Sequence, residues 1–198
     1  MVAPILTTRF GAIRRANEGL GQSMIRFAII IACSVMFVGS ANAQSFFERV
    51  GINSFLGISP STQDFVAQVA QSEIFQIEIS KLAQQRGRGT TKQFAEKMLE
   101  EHKATFSQLK ALVVSRSVRV PIPATLSSTY QTKLDKLKTL HDADFEKEFE
   151  QAQADLHKEI VSLFERYGSG GSHPDLKIFA YRHLQHILEH WRLARASQ

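Results

Sequence analysis

Residues 94–113 read FAEKMLEEHKATFSQLKALV, and their periodicity decides the fold. At 100° per residue, Ala95, Met98, Leu99, Phe106, Leu109 and Val113 all fall within about 60° of His102. The segment therefore predicts a helix, from about Thr90 to Ser115, whose apolar stripe carries a histidine at its centre. The chain before it has the same period. Ser61-Thr62-Gln63-Asp64 supplies N-cap candidates, and Phe65, Val69, Ile74, Phe75, Ile79, Leu82 and Ala83 recur up to the reversal at Gly87-Arg88-Gly89. Downstream, Ser115–Pro123 is extended because two prolines bias their predecessors away from helix. A third helix is expected over Leu126–Leu140 and a fourth over Ala143–Tyr167, with Asp142 as its cap and a break near His141. The Gly-rich turn GSGGS at 168–172 then leads into a last helix that starts around Pro174 and ends near Ala194. No strand pattern competes. The expected fold is all-α, an antiparallel four-helix bundle with an extra short helix.

The bundle occupies residues 61–198. Residues 44–60, QSFFERVGINSFLGISP, mix Phe and Ile with Gly, Ser and Pro and read as an arm or linker. In front of it stand Arg26, the twelve-residue apolar run FAIIIACSVMFV at 27–38, and Ala41-Asn42-Ala43. A positive end, a short apolar stretch and a small-x-small site describe a secretory signal peptide over residues 1–43, cleaved near Ala43. Met24 is the better start, because it leaves a signal of ordinary length. The run is too short for a comfortable membrane span. The single cysteine, Cys33, lies inside the run, and the apolar residues continue past it, which is wrong for a lipoprotein signal. The mature chain then has no thiol, no transmembrane span and a periplasmic or secreted address, where its core alone must stabilise it.

Charge points away from nucleic acid. The whole chain is formally +5, but four arginines and one acid lie in the first 43 residues, leaving a net +2 over 44–198. Fourteen Phe against three Tyr and one Trp indicate a Phe- and Leu-filled core. There is no Gly-x-Ser-x-Gly, no phosphate-binding loop and no thiol nucleophile.

The chemistry on offer is ionisable groups aimed inward. His102 is central on its stripe. His183, His186 and His190 stand at i, i+3 and i+7 on the last helix, with His183 and His190 inward and His186 nearer the edge. His157 borders the stripe of Phe149, Ile160, Val161 and Phe164, and Glu78 is flanked by Ile74, Phe75 and Leu82. One Glu with two or three His suits a single transition-metal ion, Zn, Mn, Fe or Cu. A di-iron site wants Glu-x-x-His on two helices, and Leu99, Ala154 and Ile187 occupy the required positions. At about 1.5 Å per residue, Glu78, His102 and His157 lie about 14–20 Å below their turns, and His183, at about 18 Å, fits that layer better than His190, at about 28 Å. The competing reading is a structural polar layer in which these groups satisfy one another. Glu100, Glu101 and the run Asp142–Glu150 read as solvated faces.

Phe65-Val66-Ala67-Gln68-Val69-Ala70, Glu78-Ile79-Ser80-Lys81-Leu82-Ala83, and Phe94-Ala95-Glu96-Lys97-Met98 leading to Glu101-His102 together resemble the bacterial family catalogued as domain of unknown function 4142. Phe145 with His157, and His190, resemble its later blocks, so the resemblance spans about 62–195. It implies an exported protein with a ferritin-like four-helix core, and matching positions at Glu78, His102, His157 and His190. The family pattern has a Gly before the Phe145 block, where this chain has His141-Asp142-Ala143-Asp144. The resemblance implies no activity. On sequence the favoured function is a non-enzymatic binding or structural role in the cell envelope, with an envelope protein or a second copy met through residues 44–60. The alternative is a metal-binding or metal-dependent redox protein using Glu78, His102, His157, and His190 or His183.

Overall fold

Five helices follow one another in the computed structural model, which describes residues 56–115 and 118–196. They are α1 (Thr62–Arg86), α2 (Gly89–Ser115), α3 (Ser128–Thr139), α4 (Asp142–Gly170) and α5 (Pro174–Ala196), and no strand occurs among the described residues. The leader expected at 1–43, with Met24, Cys33 and the expected cleavage near Ala43, and the expected arm up to residue 55 lie outside the described residues. The arm's last residues are tied down: Pro60 is buried, and Arg166 Nη1 donates to the Ile58 carbonyl at 2.7 Å.

Local chemistry sets the helix ends. The Ser61 hydroxyl accepts from the Asp64 backbone N–H, closing the N-terminus of α1. The chain reverses into α2 through Gly89, whose φ of +47° is a conformation that glycine adopts without a Cβ penalty. Ser127 caps α3 by accepting from Tyr130 N–H. The break before α4 falls where expected, but His141, not Asp142, is the capping residue, and its side chain makes no cap bond. Asp142 is instead the first helical residue, in the left-handed region at φ 47°. Helix α4 also runs three residues past Tyr167 into the glycine-rich stretch, ending at Gly170.

Two helical hairpins, α1–α2 and α4–α5, carry the most extensive packing, and α1 lies along α4 to join them. Phe65 stacks on Tyr167 with centroids 3.9 Å apart and meets Phe164 edge-on, so α1 and α4 are antiparallel. Phe94 meets Phe149, and the Thr91 hydroxyl donates to Glu150, so α2 and α4 run parallel. That relation requires a crossover, which residues 118–127 and α3 provide. Gln71 fastens the crossover to α1, donating to the Thr125 carbonyl and accepting from Ser127 N–H.

The core is as aromatic as the composition implies: Phe65, Phe75, Phe145, Phe149, Phe164 and Tyr167 are all fully buried. Burial of such rings is the main favourable term in folding. Among the described residues, nine polar or charged ones are buried in this apolar interior, including Glu73, Gln76, Ser80, His102, Gln153, His157 and His190. No helix among the described residues is long and apolar enough to cross a membrane.

Candidate metal centre

Three helices each deliver one histidine to the same interior point. His102 of α2, His157 of α4 and His190 of α5 are 7%, 1% and 4% exposed. Their ring centroids form a near-equilateral triangle with sides of 5.5, 5.5 and 5.3 Å. A nitrogen of each ring lies within 4.8 Å of a nitrogen of the other two. Nitrogens sharing one ion at about 2.0–2.1 Å stand at most about 4.2 Å apart, so a modest inward closure completes the geometry.

The orientation of each ring is set from behind. His102 Nδ1–H donates to the Glu73 carboxylate at 2.8 Å, and His157 Nδ1–H donates to the Gln153 backbone carbonyl at 2.8 Å. His190 Nε2–H donates to the Glu101 carboxylate. Carboxylate and carbonyl oxygens can only accept, so each ring's proton resides on the anchored nitrogen. The opposite nitrogen then carries a lone pair. Two of these, His102 Nε2 and His190 Nδ1, are buried with no partner among the described residues. Facing lone pairs in a dry interior cost about 1–3 kcal/mol each if nothing answers them. Imidazole anchored on one nitrogen and free on the other is how histidine is presented to a metal.

Burial disfavours protonation of two of the rings, His157 and His190. Burial pushes the His157 imidazole well below its usual range, and His102 and His190 nearby push it further. His190 is lowered to about 4, chiefly by burial, with His102 adding to the effect and Glu101 opposing it. Neutral imidazole is the form that binds metal. Glu73 is a carboxylate only 3% exposed, an anion that a nearby cation stabilises.

Two residues singled out on sequence stand elsewhere. Glu78 is half-exposed and pairs with Lys81 at 2.6 Å. The carboxylate that α1 contributes is Glu73, one and a half turns earlier. Val69, Glu73, Gln76 and Ser80 follow one another at spacings of four, three and four and are all buried. They are the centre of the inward face of α1, while Glu78 lies about 140–160° away from Glu73 and Ser80 at 100° per residue. The sequence signal for Glu73 is a polar stripe with helical period, which apolar periodicity does not register.

His183, favoured over His190 by height, is also outside the triangle. It is half-buried, within 3.2 Å of Gln108 Oε1 and 4.4 Å from the Phe179 ring centroid. The extension of α4 to Gly170 lowers His157 further below the turn. Side chains also tilt toward their own helix N-terminus. That tilt takes His157 away from the turn and brings His190 toward it, so the two meet. Glu101, expected in solvent, is half-exposed with its carboxylate turned onto His190.

Comparison with known proteins supports the fold. A crystal structure of a DUF305 fragment from Deinococcus radiodurans is similar, with a TM-score of 0.59 at 14% identity, covering 70% of this chain and 96% of that one. No curated protein matches the chain. A family profile described as "Domain of unknown function (DUF4142)" matches residues 53–196, enclosing all five helices and all three histidines of the triangle. With that match over most of its length, this chain belongs to the DUF4142 family.

Proposed function

We propose that this protein binds one divalent transition-metal ion through His102, His157 and His190, in the core of a bundle exported to the periplasm. The observation that carries the reading is the triple anchoring: each imidazole is tied on one nitrogen, and each ring brings a nitrogen within 4.8 Å of its two counterparts. A structural polar layer accounts for the bonds to Glu73, Gln153 and Glu101 but leaves the second nitrogens of His102 and His190 buried without a partner among the described residues. Three neutral nitrogen donors, with no thiolate and no carboxylate among them, favour copper or zinc over manganese. The two carboxylates behind His102 and His190 balance a 2+ charge. Export rests on the leader-like residues 1–43.

The test is metal analysis and calorimetric titration on protein purified from cells expressing the whole chain. One copper or zinc ion per chain is expected. His102→Ala or His190→Ala should abolish stoichiometric binding, and Glu73→Gln should weaken it about 10–100-fold. His183→Ala should leave it unchanged. Absence of stoichiometric metal, or equal losses on substituting His183 and His190, would return the cluster to a purely structural role.

A further inference from the structure

Three protein ligands leave a four-coordinate ion with one position to fill. Glu73 and Glu101 do not fill it, because each is committed to the far nitrogen of a histidine. The next polar group is the Gln76 amide, which is 2% exposed. Its nitrogen lies 3.4 Å from both Nδ1 and Nε2 of His157. Equal distances to the two nitrogens put the amide on the bisector between them, off the lone-pair direction of either. Nδ1 is in any case already donating to Gln153. Gln76 Oε1 has no partner among the described residues.

The polarity continues past Gln76. Ser80 stands one turn farther along α1, and Gln153 one turn before His157 on the antiparallel α4, so both lie toward the same end of the bundle. Both are fully buried, and the Ser80 hydroxyl and both amide atoms of Gln153 also lack partners among the described residues. Four orphaned polar atoms in one apolar core are far from the norm, since buried polar groups are almost always satisfied. Of these groups Gln76 stands against the triangle itself, at 3.4 Å from the His157 ring nitrogens.

We infer that the ion's fourth position accepts an exogenous small ligand, water or a small anion, hydrogen-bonded by the Gln76 amide where the polar stripe of α1 meets α4. This rests on the metal reading above. Gln76 is then the residue that decides which small ligand the ion holds.

Azide is the probe. Whole-chain protein loaded with one equivalent of Cu²⁺ is titrated with azide, following the azide-to-copper charge-transfer band and the copper electron paramagnetic resonance signal. Saturable binding of one azide per copper is expected. Gln76→Leu should keep copper binding at one per chain and weaken azide about tenfold, the scale of one lost hydrogen bond. Gln76→Met, closer in shape, guards against misfolding and should show the same loss, with circular dichroism confirming helicity. If copper binds but azide leaves both signals unchanged, the open position is refuted while the metal site stands. Equal azide affinity in wild type and both variants refutes the role of Gln76. If copper does not bind at all, both readings fall together.

Discussion

His157 shows how a single side chain is set by its surroundings. It is 1% exposed, its Nδ1–H is held by a carbonyl one turn back on its own helix, and burial keeps it from taking a proton. His190 behaves alike, lowered to about 4. In the unfolded chain both titrate near 6.5. The unfolded state therefore binds more protons than the folded one at any pH below about 6.5 and above the folded values. Stability from these groups is full above about pH 6.5 and falls below it, the His190 contribution being lost as pH falls through about 4. The slope is about 1.4 kcal/mol per pH unit for each histidine within that window. Urea unfolding of chelator-treated protein at pH 7, 6 and 5 should show stability falling with pH, and replacing His190 by Gln should flatten the fall. A pH-independent unfolding free energy across this range would contradict the neutral-imidazole assignment.

At the scale of one element, the α4–α5 turn sets the height at which His157 and His190 meet. Gly171 caps α4, its N–H donating to the Tyr167 carbonyl at 2.8 Å. A Cβ there would stand 2.5 Å from that same oxygen and 2.7 Å from the Tyr167 ring. The ring cannot retreat, being fully buried, stacked on Phe65 and hydrogen-bonded through its hydroxyl to Thr62 at 2.8 Å. Gly171→Ala is therefore expected to cost about 1–3 kcal/mol. Gly168, three residues earlier, has its nearest non-neighbour at 3.5 Å. There Gly168→Ala should be neutral or stabilising by up to about 1 kcal/mol, because alanine is the better helix former. Thermal unfolding of the two variants side by side checks this, and a loss of similar size in both would remove the steric explanation.

For the whole molecule, metal binding and folding share one free energy, because the triangle exists only when α2, α4 and α5 are packed together. Free ion at about 100 times its dissociation constant adds about 2.7 kcal/mol. For a domain of this size that raises Tm by about 5–10 °C. Scanning calorimetry with copper or zinc and then with excess chelator should show the rise and its reversal. His102→Ala should show neither. Identical Tm values in all conditions for the wild-type chain would mean that no ion is held.

The periods along the chain were enough for the helices. A 3.6-residue apolar stripe has no other stable burial, and Gly and Pro punctuate it at 87–89, 121–123 and 168–174. The inward position of His102 was equally legible, since its angular neighbours are all apolar. Which groups face each other across the bundle was not, because it depends on axial register. Three extra residues of α4 and the tilt of side chains along antiparallel helices together exchange His183 for His190. Glu73 was hidden for a related reason. Its neighbours on the inward face of α1, Gln76 and Ser80, are polar, and only the packed core reveals that this polar stripe, rather than an apolar one, meets the histidines. Local periodicity determines elements, but a site formed by three helices is a property of their mutual height and rotation, which long-range packing alone decides.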